Sequence, residues 1–194
     1  DMDQPGVSTK PIKLISGKSP FCETFFENAR AEKNNLIGEL NAGWEIAKYL
    51  LTHEREMIGG WGIEMSKPIN GIAIKNFGLD ENKKLSDPIL RTDIARTEID
   101  GIAFGAKMED VQESSKSGQS IGALSSMLKY YGTELNKKRL ELLIDSYGYE
   151  GLDWDSEDDV ARKWLRTKAN SIEGGTSEIQ LNIISKQILN LPNN

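Results

Sequence analysis

The sequence predicts a mainly α-helical protein, an up-and-down four-helix bundle preceded by a short β segment. From about residue 41 onward, apolar residues recur every three or four positions, which is the period of an α-helix with one buried face. Before residue 39 they occur in short runs interrupted by glycine and proline, as in strands joined by turns. We therefore expect a β segment at residues 1–38 and a helical bundle at residues 39–194.

The early helices follow from their start and stop signals. The first is expected over residues 41–60, where two glycines end it. Residues 61–85 carry a mixed pattern, and we expect a loop with a broken helix there. The next helix should cover residues 88–113, because Asp87 supplies a side-chain acceptor and Pro88 is already set to a helical φ.

The later helices complete the predicted bundle. Residues 121–148 form the longest stripe of apolar residues and predict the strongest helix of the chain. Acidic residues 155–159 suit the amino terminus of another helix. The last helix, residues 179–191, is apolar over a wide face, so we expect it to be central, and Pro192 ends it. Helices of this length joined by short links favour a bundle.

Composition excludes several classes of protein. The formal net charge is −6 without a basic stripe, which argues against nucleic acid as a partner. No segment approaches the ~20 apolar residues of a membrane span. Cys22 and His53 are the only residues of their types, so neither a disulfide framework nor a metal site is expected. The acidic amino terminus does not resemble a secretory signal, and we expect a cytoplasmic location.

Glu54 is the first candidate for chemistry. It falls on the stripe of the first helix that Trp44, Ala47, Leu51 and Ile58 define, where an apolar residue would be expected. A buried carboxylate is costly unless it is paired or protonated. Periodicity leaves two interpretations open: a salt bridge inside the bundle, or a general base whose pKa is raised by desolvation.

Two glycine-containing segments are further candidates. In residues 173–180, Ser177 and Gln180 have the spacing of a capping box, and the preceding glycines allow a sharp turn into a helix. Such a turn either just starts the helix or offers N–H groups to a phosphate. Residues 145–151 follow the strongest helix, and their glycines either only end it or belong to a site.

Read together, these segments resemble the acyl-CoA dehydrogenase family. Residues 172–184 and 189–192 resemble the closing signature of that family. Residues 25–55 resemble its junction between a β domain and a helical bundle. Residues 126–134 resemble a bacterial branch whose members act on steroid side chains, dicarboxylic acyl-CoAs and other unusual acids. The resemblance implies that residues 1–38 are the remnant of a middle β domain, and that roughly the first half of such an enzyme is absent.

The resemblance also implies a reaction. In the family, a glutamate removes the α-proton of an acyl-CoA thioester while FAD accepts the β-hydrogen as hydride, which gives a trans-2-enoyl-CoA. Of the two positions that hold this base, one is Gly174 here and the other is Glu54; Glu173 lies one residue from the first position and is a minor candidate. Thr52, His53 and Arg55 would line the acyl pocket, and the Gly174 N–H would polarise the thioester carbonyl.

The flavin contacts are implied in the same way. Thr176, Ser177 and Glu178 match positions that touch FAD. The segment that reaches the FAD of a neighbouring subunit corresponds to Asp145, Tyr147, Gly148 and Tyr149, but Asp145 replaces a usual glutamine and Tyr149 a usual glycine.

The partners that the resemblance implies are an acyl-CoA, an electron-transfer flavoprotein and other dehydrogenase subunits in a homo- or hetero-oligomer. Because much of the flavin cradle belongs to the absent half, we expect this chain to be inactive alone. The alternative function is that of a non-catalytic partner subunit that completes a neighbour's flavin site.

Overall fold

The computed structural model describes residues 1–61, 69–117 and 121–192, apart from the side chains of residues 52, 53, 55–61 and 115. It contains two strands, β1 (Val7–Ile12) and β2 (Phe21–Phe26), and six α-helices: α1 (Gly43–Trp61), α2 (Ile69–Phe77), α3 (Pro88–Lys116), α4 (Leu124–Tyr147), α5 (Val160–Thr167) and α6 (Ser177–Ile183). Short 3₁₀ turns cover Lys33–Asn35, Gly148–Leu152 and Lys168–Ser171, and a π-helical turn, Ile184–Ile188, follows α6. The chain divides into two compact units, Asp1–Leu51 and Thr52–Asn194.

The first unit contains an antiparallel β-hairpin. Its register pairs Val7 with Phe26 and Ile12 with Phe21. Gly6 is required at its open end, where φ is +88° and a Cβ would lie 2.1 Å from the carbonyl oxygen of Glu27. Nearly all hairpin side chains are exposed. This confirms the predicted β segment, while the boundary between residues 38 and 39 stays a prediction.

The second unit is built around α4, which contacts α2, α3, α5 and α6. One buried cluster joins α2, α3 and α4 and includes Ile69, Ala73, Ile94 and Leu142. The other joins α3 and α4; its buried members are Phe104, Val111, Leu128 and Leu135. The mainly helical fold that the three-four period predicts is confirmed, and no helix in the described ranges meets the length and hydropathy that a membrane span requires.

The start of α3 is as predicted. The Asp87 carboxylate accepts hydrogen bonds from the backbone N–H groups of Ile89 and Leu90, each at 2.9 Å. These two N–H groups lie in the first turn, where the helix itself offers no acceptor. The side chain of Asp87 therefore caps α3, which continues slightly beyond its predicted end.

Two predictions about helices need correction. Part of residues 61–85, expected as a loop with a broken helix, forms the regular helix α2, because Ile69 and Ala73 share one face that is buried against the core. The last helix is not central: Ile179 and Leu181 are 50% and 44% exposed, and its buried residues are the polar Ser177 and Gln180. Apolar composition was a poor guide there, because this chain leaves the apolar face of α6 without cover.

Thr97 gives a first testable prediction. Its side chain on α3 is completely buried, and its hydroxyl has no hydrogen-bond partner among the described residues. Replacing Thr97 with the isosteric valine removes the cost of burying an unpaired polar group, so we expect the free energy of unfolding to rise by about 1 kcal/mol. Chemical denaturation of Thr97→Val against the unchanged protein measures this, and a less stable variant would contradict the expectation.

Candidate functional site

Glu54 lies in α1, where its side chain is half-buried and has no ion-pair partner among the described side chains. The predicted apolar stripe around it is not buried in this chain, since Trp44 is 69% and Leu51 38% exposed. Glu54 is therefore half-buried on a face that is largely exposed, and the salt-bridge interpretation finds no partner among the described side chains. The side chains of Thr52, His53 and Arg55 lie outside the described residues.

The glycine turn before α6 is the second part of the candidate site. Gly174 and Gly175 have φ values of +66° and +92°, a region that residues with a Cβ rarely adopt. The side-chain amide of the buried Gln180 donates a hydrogen bond to the Gly174 carbonyl at 3.0 Å. The Gly174 N–H donates to no acceptor among the described residues. The turn is thus held at one side and leaves one backbone donor available.

The capping of α6 differs from the prediction. Thr176, not Ser177, is the capping residue, and its hydroxyl oxygen accepts from the Ile179 N–H at 3.3 Å. The Ser177 hydroxyl instead donates to the Glu134 carboxylate of α4 at 2.9 Å. Gln180 points back to the glycine turn rather than forming a capping box. The spacing of Ser177 and Gln180 was misleading because tertiary contacts recruit both side chains.

Glu178 opposes the binding of a phosphate at the start of α6. Hydrogen bonds from its own backbone N–H and from the Thr176 hydroxyl hold the pKa of this exposed carboxyl below its usual range. A carboxylate that stays ionised at the start of α6 repels an anion and occupies a donor that the anion would need. The turn therefore suits a neutral ligand group better than a phosphate.

Glu173 carries the strongest ion pair of the described site. Its two carboxylate oxygens accept from the guanidinium of Arg166 at 2.8 and 3.2 Å, the bidentate geometry that favours an arginine–carboxylate pair. The Asn170 amide donates to the same carboxylate at 2.6 Å. Burial alone would raise the pKa of Glu173, but these hydrogen bonds and the positive charges of Arg166 and Lys129 lower it. A carboxylate held this way is a poor proton acceptor.

Lys129 connects this ion pair to the centre of the fold. Its side chain is completely buried in α4, and its ammonium donates to the Asn170 carbonyl at 3.0 Å. Burial lowers the pKa of Lys129, while the charges of Glu173 and Glu134 oppose that shift. The Asn136 amide of α4 also donates, at 3.0 Å, to the side chain of Asn170. The segment before the glycine turn is therefore fastened to α4 by a partly buried polar network, of which Lys129 is the fully buried member.

The lowered pKa of Glu173 predicts how stability depends on pH. Its carboxylate stabilises the fold above the pKa of an unfolded glutamate, and this contribution is lost as pH falls through the lower folded pKa. We expect Glu173→Gln to lower the free energy of unfolding at pH 7 by about 1–3 kcal/mol. Denaturation at pH 7 and near pH 3 should show the difference from the unchanged protein shrinking at the acidic pH.

Asp155→Asn is the matched control for this prediction. Asp155 pairs with Arg162, one turn before Arg166 on α5, but its side chain is 88% exposed. An exposed pair contributes less than about 1 kcal/mol. An equal loss of stability in both variants would show that the ion pair of Glu173 and Arg166 stabilises the fold no more than the exposed pair of Asp155 and Arg162.

Residues 145–149 form the third candidate segment, at the end of α4. Asp145 is exposed in the last turn, and partial desolvation followed by the charge of Glu141 raises the pKa of its carboxyl. The Tyr147 hydroxyl donates to Asp158 at 2.9 Å. Gly148 ends the helix at φ +58°, and Tyr149 is 95% exposed. The glycine stop of the simpler interpretation is present, beside an aromatic side chain that this chain does not cover.

The three segments are not joined by described contacts. Ser177 binds α4 at Glu134, whereas Asp145 lies about 16 Å further along the same helix. No described contact connects Glu54 with Gly174. The structure brings Gly174, Thr176 and Ser177 together at one turn and places residues 145–149 at a separate position on α4.

Several residues of the network were not identified as site residues from the sequence: Arg166, Asn170, Asn136 and the paired role of Glu134. The sequence did contain one indication of the network. Ser126, Lys129 and Thr133 repeat at helical spacing, which places a lysine on a buried face of α4. The hydrogen bonds that Asn136 and Glu134 of α4 make join residues 34 and 43 apart in sequence, which helical periodicity does not reveal.

The sequence of this chain is similar to those of known acyl-CoA dehydrogenases. The family model described as "Acyl-CoA dehydrogenase, C-terminal domain" matches residues 41–189. The acyl-CoA dehydrogenase IpdE1 of Mycolicibacterium smegmatis is 29% identical over 98% of this chain and 47% of its own length. The chain spans about half the length of the curated relatives it matches.

Solved structures share the fold. The structure titled "Tcur3481-Tcur3483 steroid ACAD" superposes with a TM-score of 0.84 at 22% identity, over 100% of this chain and 51% of that chain. The ChsE4–ChsE5 complex from Mycobacterium tuberculosis gives a TM-score of 0.72 at 25% identity, over 98% of this chain and 50% of that chain. Both superpositions cover the hairpin as well as the helices.

Proposed function

Because the chain belongs to the acyl-CoA dehydrogenase family, we propose that it contributes the base to an FAD-dependent α,β-dehydrogenation of an acyl-CoA thioester, and that this base is Glu54. The observation that carries the assignment is the contrast between two glutamates. Glu173 has both oxygens bound by Arg166, whereas Glu54 is half-buried in α1 without a described ion-pair partner. Gly174, at the other position that holds the base in the family, has no side chain.

The proposed chemistry assigns two tasks to this chain. The Glu54 carboxylate accepts the proton from the α-carbon of the thioester, and the Gly174 N–H donates to the thioester carbonyl, which makes that proton more acidic. FAD, when bound, supplies the acceptor for the hydride that leaves the β-carbon. Thr52, His53 and Arg55 line the acyl pocket in this proposal. The product is a trans-2-enoyl-CoA.

The residues proposed to hold FAD fit it through their backbone atoms, because their hydroxyl groups already have hydrogen-bond partners. The Ser177 hydroxyl is occupied by Glu134 and the Thr176 hydroxyl serves Ile179 and Glu178. Thr176 and Ser177 would therefore meet the flavin through backbone atoms rather than through free hydroxyl groups. Since much of the flavin cradle would lie outside these residues, we expect the chain alone to bind FAD poorly and to be inactive.

The experiment that tests this function uses the protein together with everything that completes its flavin site. Anaerobic addition of an acyl-CoA to the flavin-loaded protein should bleach the flavin absorbance and yield the enoyl-CoA. Assaying a panel that includes straight-chain, dicarboxylic and steroid side-chain acyl-CoAs addresses the substrate. Failure of every acyl-CoA to bleach a bound flavin would reject the proposal.

A second candidate function has an observation of its own. Residues 145–149 depart from the family pattern at Asp145 and Tyr149, and Tyr149 is almost fully exposed. The ChsE4–ChsE5 structure is titled as a complex of two proteins. The chain would then belong to a non-catalytic subunit that completes a neighbour's flavin site. This function requires that changes at residues 145–149 release flavin from the assembly while Glu54→Gln leaves turnover unchanged.

The proposal also includes an electron acceptor, an assembly and a cellular compartment. An electron-transfer flavoprotein is the proposed electron acceptor, and a homo- or hetero-oligomer of dehydrogenase subunits is the proposed assembly. A reducing cytoplasm is the proposed compartment, supported by the free and exposed thiol of Cys22.

A further inference from the structure

We propose that the ion pair of Arg166 and Glu173, fastened to α4 through Asn170, is a positioning device that holds the Gly174 N–H in the orientation needed to polarise the acyl thioester. The inference rests on the proposed function and adds residues to it. Arg166 and Glu173 would not touch the substrate, but would act through the backbone of the glycine turn.

Gly174 directly follows Glu173 in the chain. Its N–H belongs to the peptide group that begins at Glu173, so the direction of this donor follows the backbone of Glu173. Arg166 holds both oxygens of the Glu173 side chain, at 2.8 and 3.2 Å. The Gly174 N–H donates to no described acceptor. A fixed residue therefore directly precedes an available donor.

The ion pair of Arg166 and Glu173 is anchored to α4 through Asn170. The Asn170 amide donates to Glu173 at 2.6 Å, and the Asn170 carbonyl accepts from Lys129 at 3.0 Å. Asn136 binds the side chain of the same asparagine at 3.0 Å. Lys129 is completely buried in the central helix α4. The position of Glu173 is consequently set by the core and not only by its own loop.

Gly174 is also held on its carboxyl side. The buried amide of Gln180 donates to the Gly174 carbonyl at 3.0 Å. Glycines at positive φ have no side chain of their own to pack, and their backbone is the most flexible of any residue. Polar contacts before and after Gly174 compensate for that freedom and leave its N–H as the unengaged group.

A partly buried network of charges anchored on the buried Lys129 is a costly way to hold a loop, since apolar residues of similar volume often stabilise a fold as well or better. Hydrogen bonds, however, define direction as well as distance. A donor to a developing negative charge must be placed accurately, and a displacement of about 1 Å can reduce a rate by about a hundredfold. Orientation of Gly174 is thus a task that fits this network.

The test compares two substitutions in the flavin-loaded protein. Each one replaces an acidic residue that forms an ion pair with an arginine of α5. Glu173→Gln removes the charge that Arg166 holds, and Asp155→Asn removes an exposed charge beside Arg162 on the same helix. We expect Glu173→Gln to slow flavin bleaching at saturating acyl-CoA by about ten- to a hundredfold. FAD content should stay unchanged and KM should change little, while Asp155→Asn behaves as the unchanged protein.

A spectroscopic measurement separates positioning from a merely structural role. The infrared stretch of a ¹³C-labelled thioester carbonyl in a bound, non-oxidisable acyl-CoA analogue reports polarisation by its hydrogen-bond donor. We expect a smaller shift to low frequency in Glu173→Gln than in the unchanged protein or in Asp155→Asn. Arg166→Lys, which keeps the charge but not the bidentate geometry, should lie between them.

The outcomes are distinguishable. Normal bleaching and a normal carbonyl frequency in either Glu173→Gln or Arg166→Lys overturn the inference. If Glu173→Gln does not fold or loses its flavin, Arg166→Lys decides alone by the same two measurements. If the unchanged protein does not bleach with any acyl-CoA, the proposed function fails, and the infrared shift of a bound analogue still tests whether Glu173 positions the donor.

Discussion

Glu54→Gln is expected to abolish the bleaching of bound flavin by acyl-CoA while the flavin stays bound. Glutamine has nearly the size of glutamate but cannot accept the α-proton. General-base catalysis contributes about 10²–10⁴ in rate, and we expect a loss of at least about a thousandfold here. Stopped-flow absorbance of the flavin under anaerobic conditions, with excess acyl-CoA, measures this loss.

Glu45→Gln is the matched control on the same helix. Glu45 pairs with Lys48 at 2.7 Å on α1, and its side chain is 72% exposed. This substitution also converts a glutamate of α1 to glutamine, so it reproduces any general effect on the helix, and it should bleach at the normal rate. Unchanged turnover in Glu54→Gln would eliminate Glu54 as the base and favour the partner-subunit function instead.

Gly175→Ala is expected to destabilise the protein by about 2–4 kcal/mol, or lower Tm by about 5–10 °C. An alanine at φ +92° is strained, and its Cβ would lie 2.5 Å from the amide nitrogen of Gln180. Gln180 is completely buried, so its amide cannot move aside without losing the hydrogen bond to the Gly174 carbonyl. Both strain and a lost hydrogen bond therefore contribute. Thermal denaturation of the variant measures the sum.

Gly105→Ala provides the opposite control. Gly105 lies within α3, and a Cβ there would meet nothing within 4 Å. Alanine lowers the entropy of the unfolded chain and favours the helix, so we expect about 0.5–1 kcal/mol of stabilisation. Opposite signs for the two glycine-to-alanine changes would identify Gly175 as a conformational requirement of the candidate site. A Gly175→Ala variant as stable as Gly105→Ala would show that the turn tolerates a side chain.

The placement of the polar network explains why the candidate site was only partly predictable. The resemblance indicated Glu54, the glycine turn and residues 145–149 as separate segments of sequence. It did not indicate that Arg166, Asn170 and Lys129 hold the residue before the turn. Those partners are charged or polar residues in helical surroundings, where a solvated surface residue is the ordinary interpretation. The full burial of Lys129 and the partial burial of Arg166 and Asn170 depend on α5 and the 3₁₀ turn lying against α4.

The structure argues against Glu173 as the catalytic base. From its sequence position, one residue before Gly174, it remained a minor candidate for the base. The bidentate contact with Arg166 and the lowered pKa instead mark it as an ionised, fully engaged carboxylate. This contrast supports the proposal that Glu54 is the base. Arg166 is seven residues away in sequence, a separation at which a pattern alone does not predict a pair across a helix end.

The sequence by itself determined the helical fold, the β segment before it, the cap of α3 and the family, because each depends on local spacing or on a contiguous motif. Tertiary structure alone decided which helix is central, which residue caps α6 and which glutamate is engaged by an arginine. Helix α6 has the apolar composition of a central helix, yet α4 is central and α6 buries Ser177 and Gln180. The physical reason is that periodicity defines the faces of a helix, whereas only packing decides which face meets a partner.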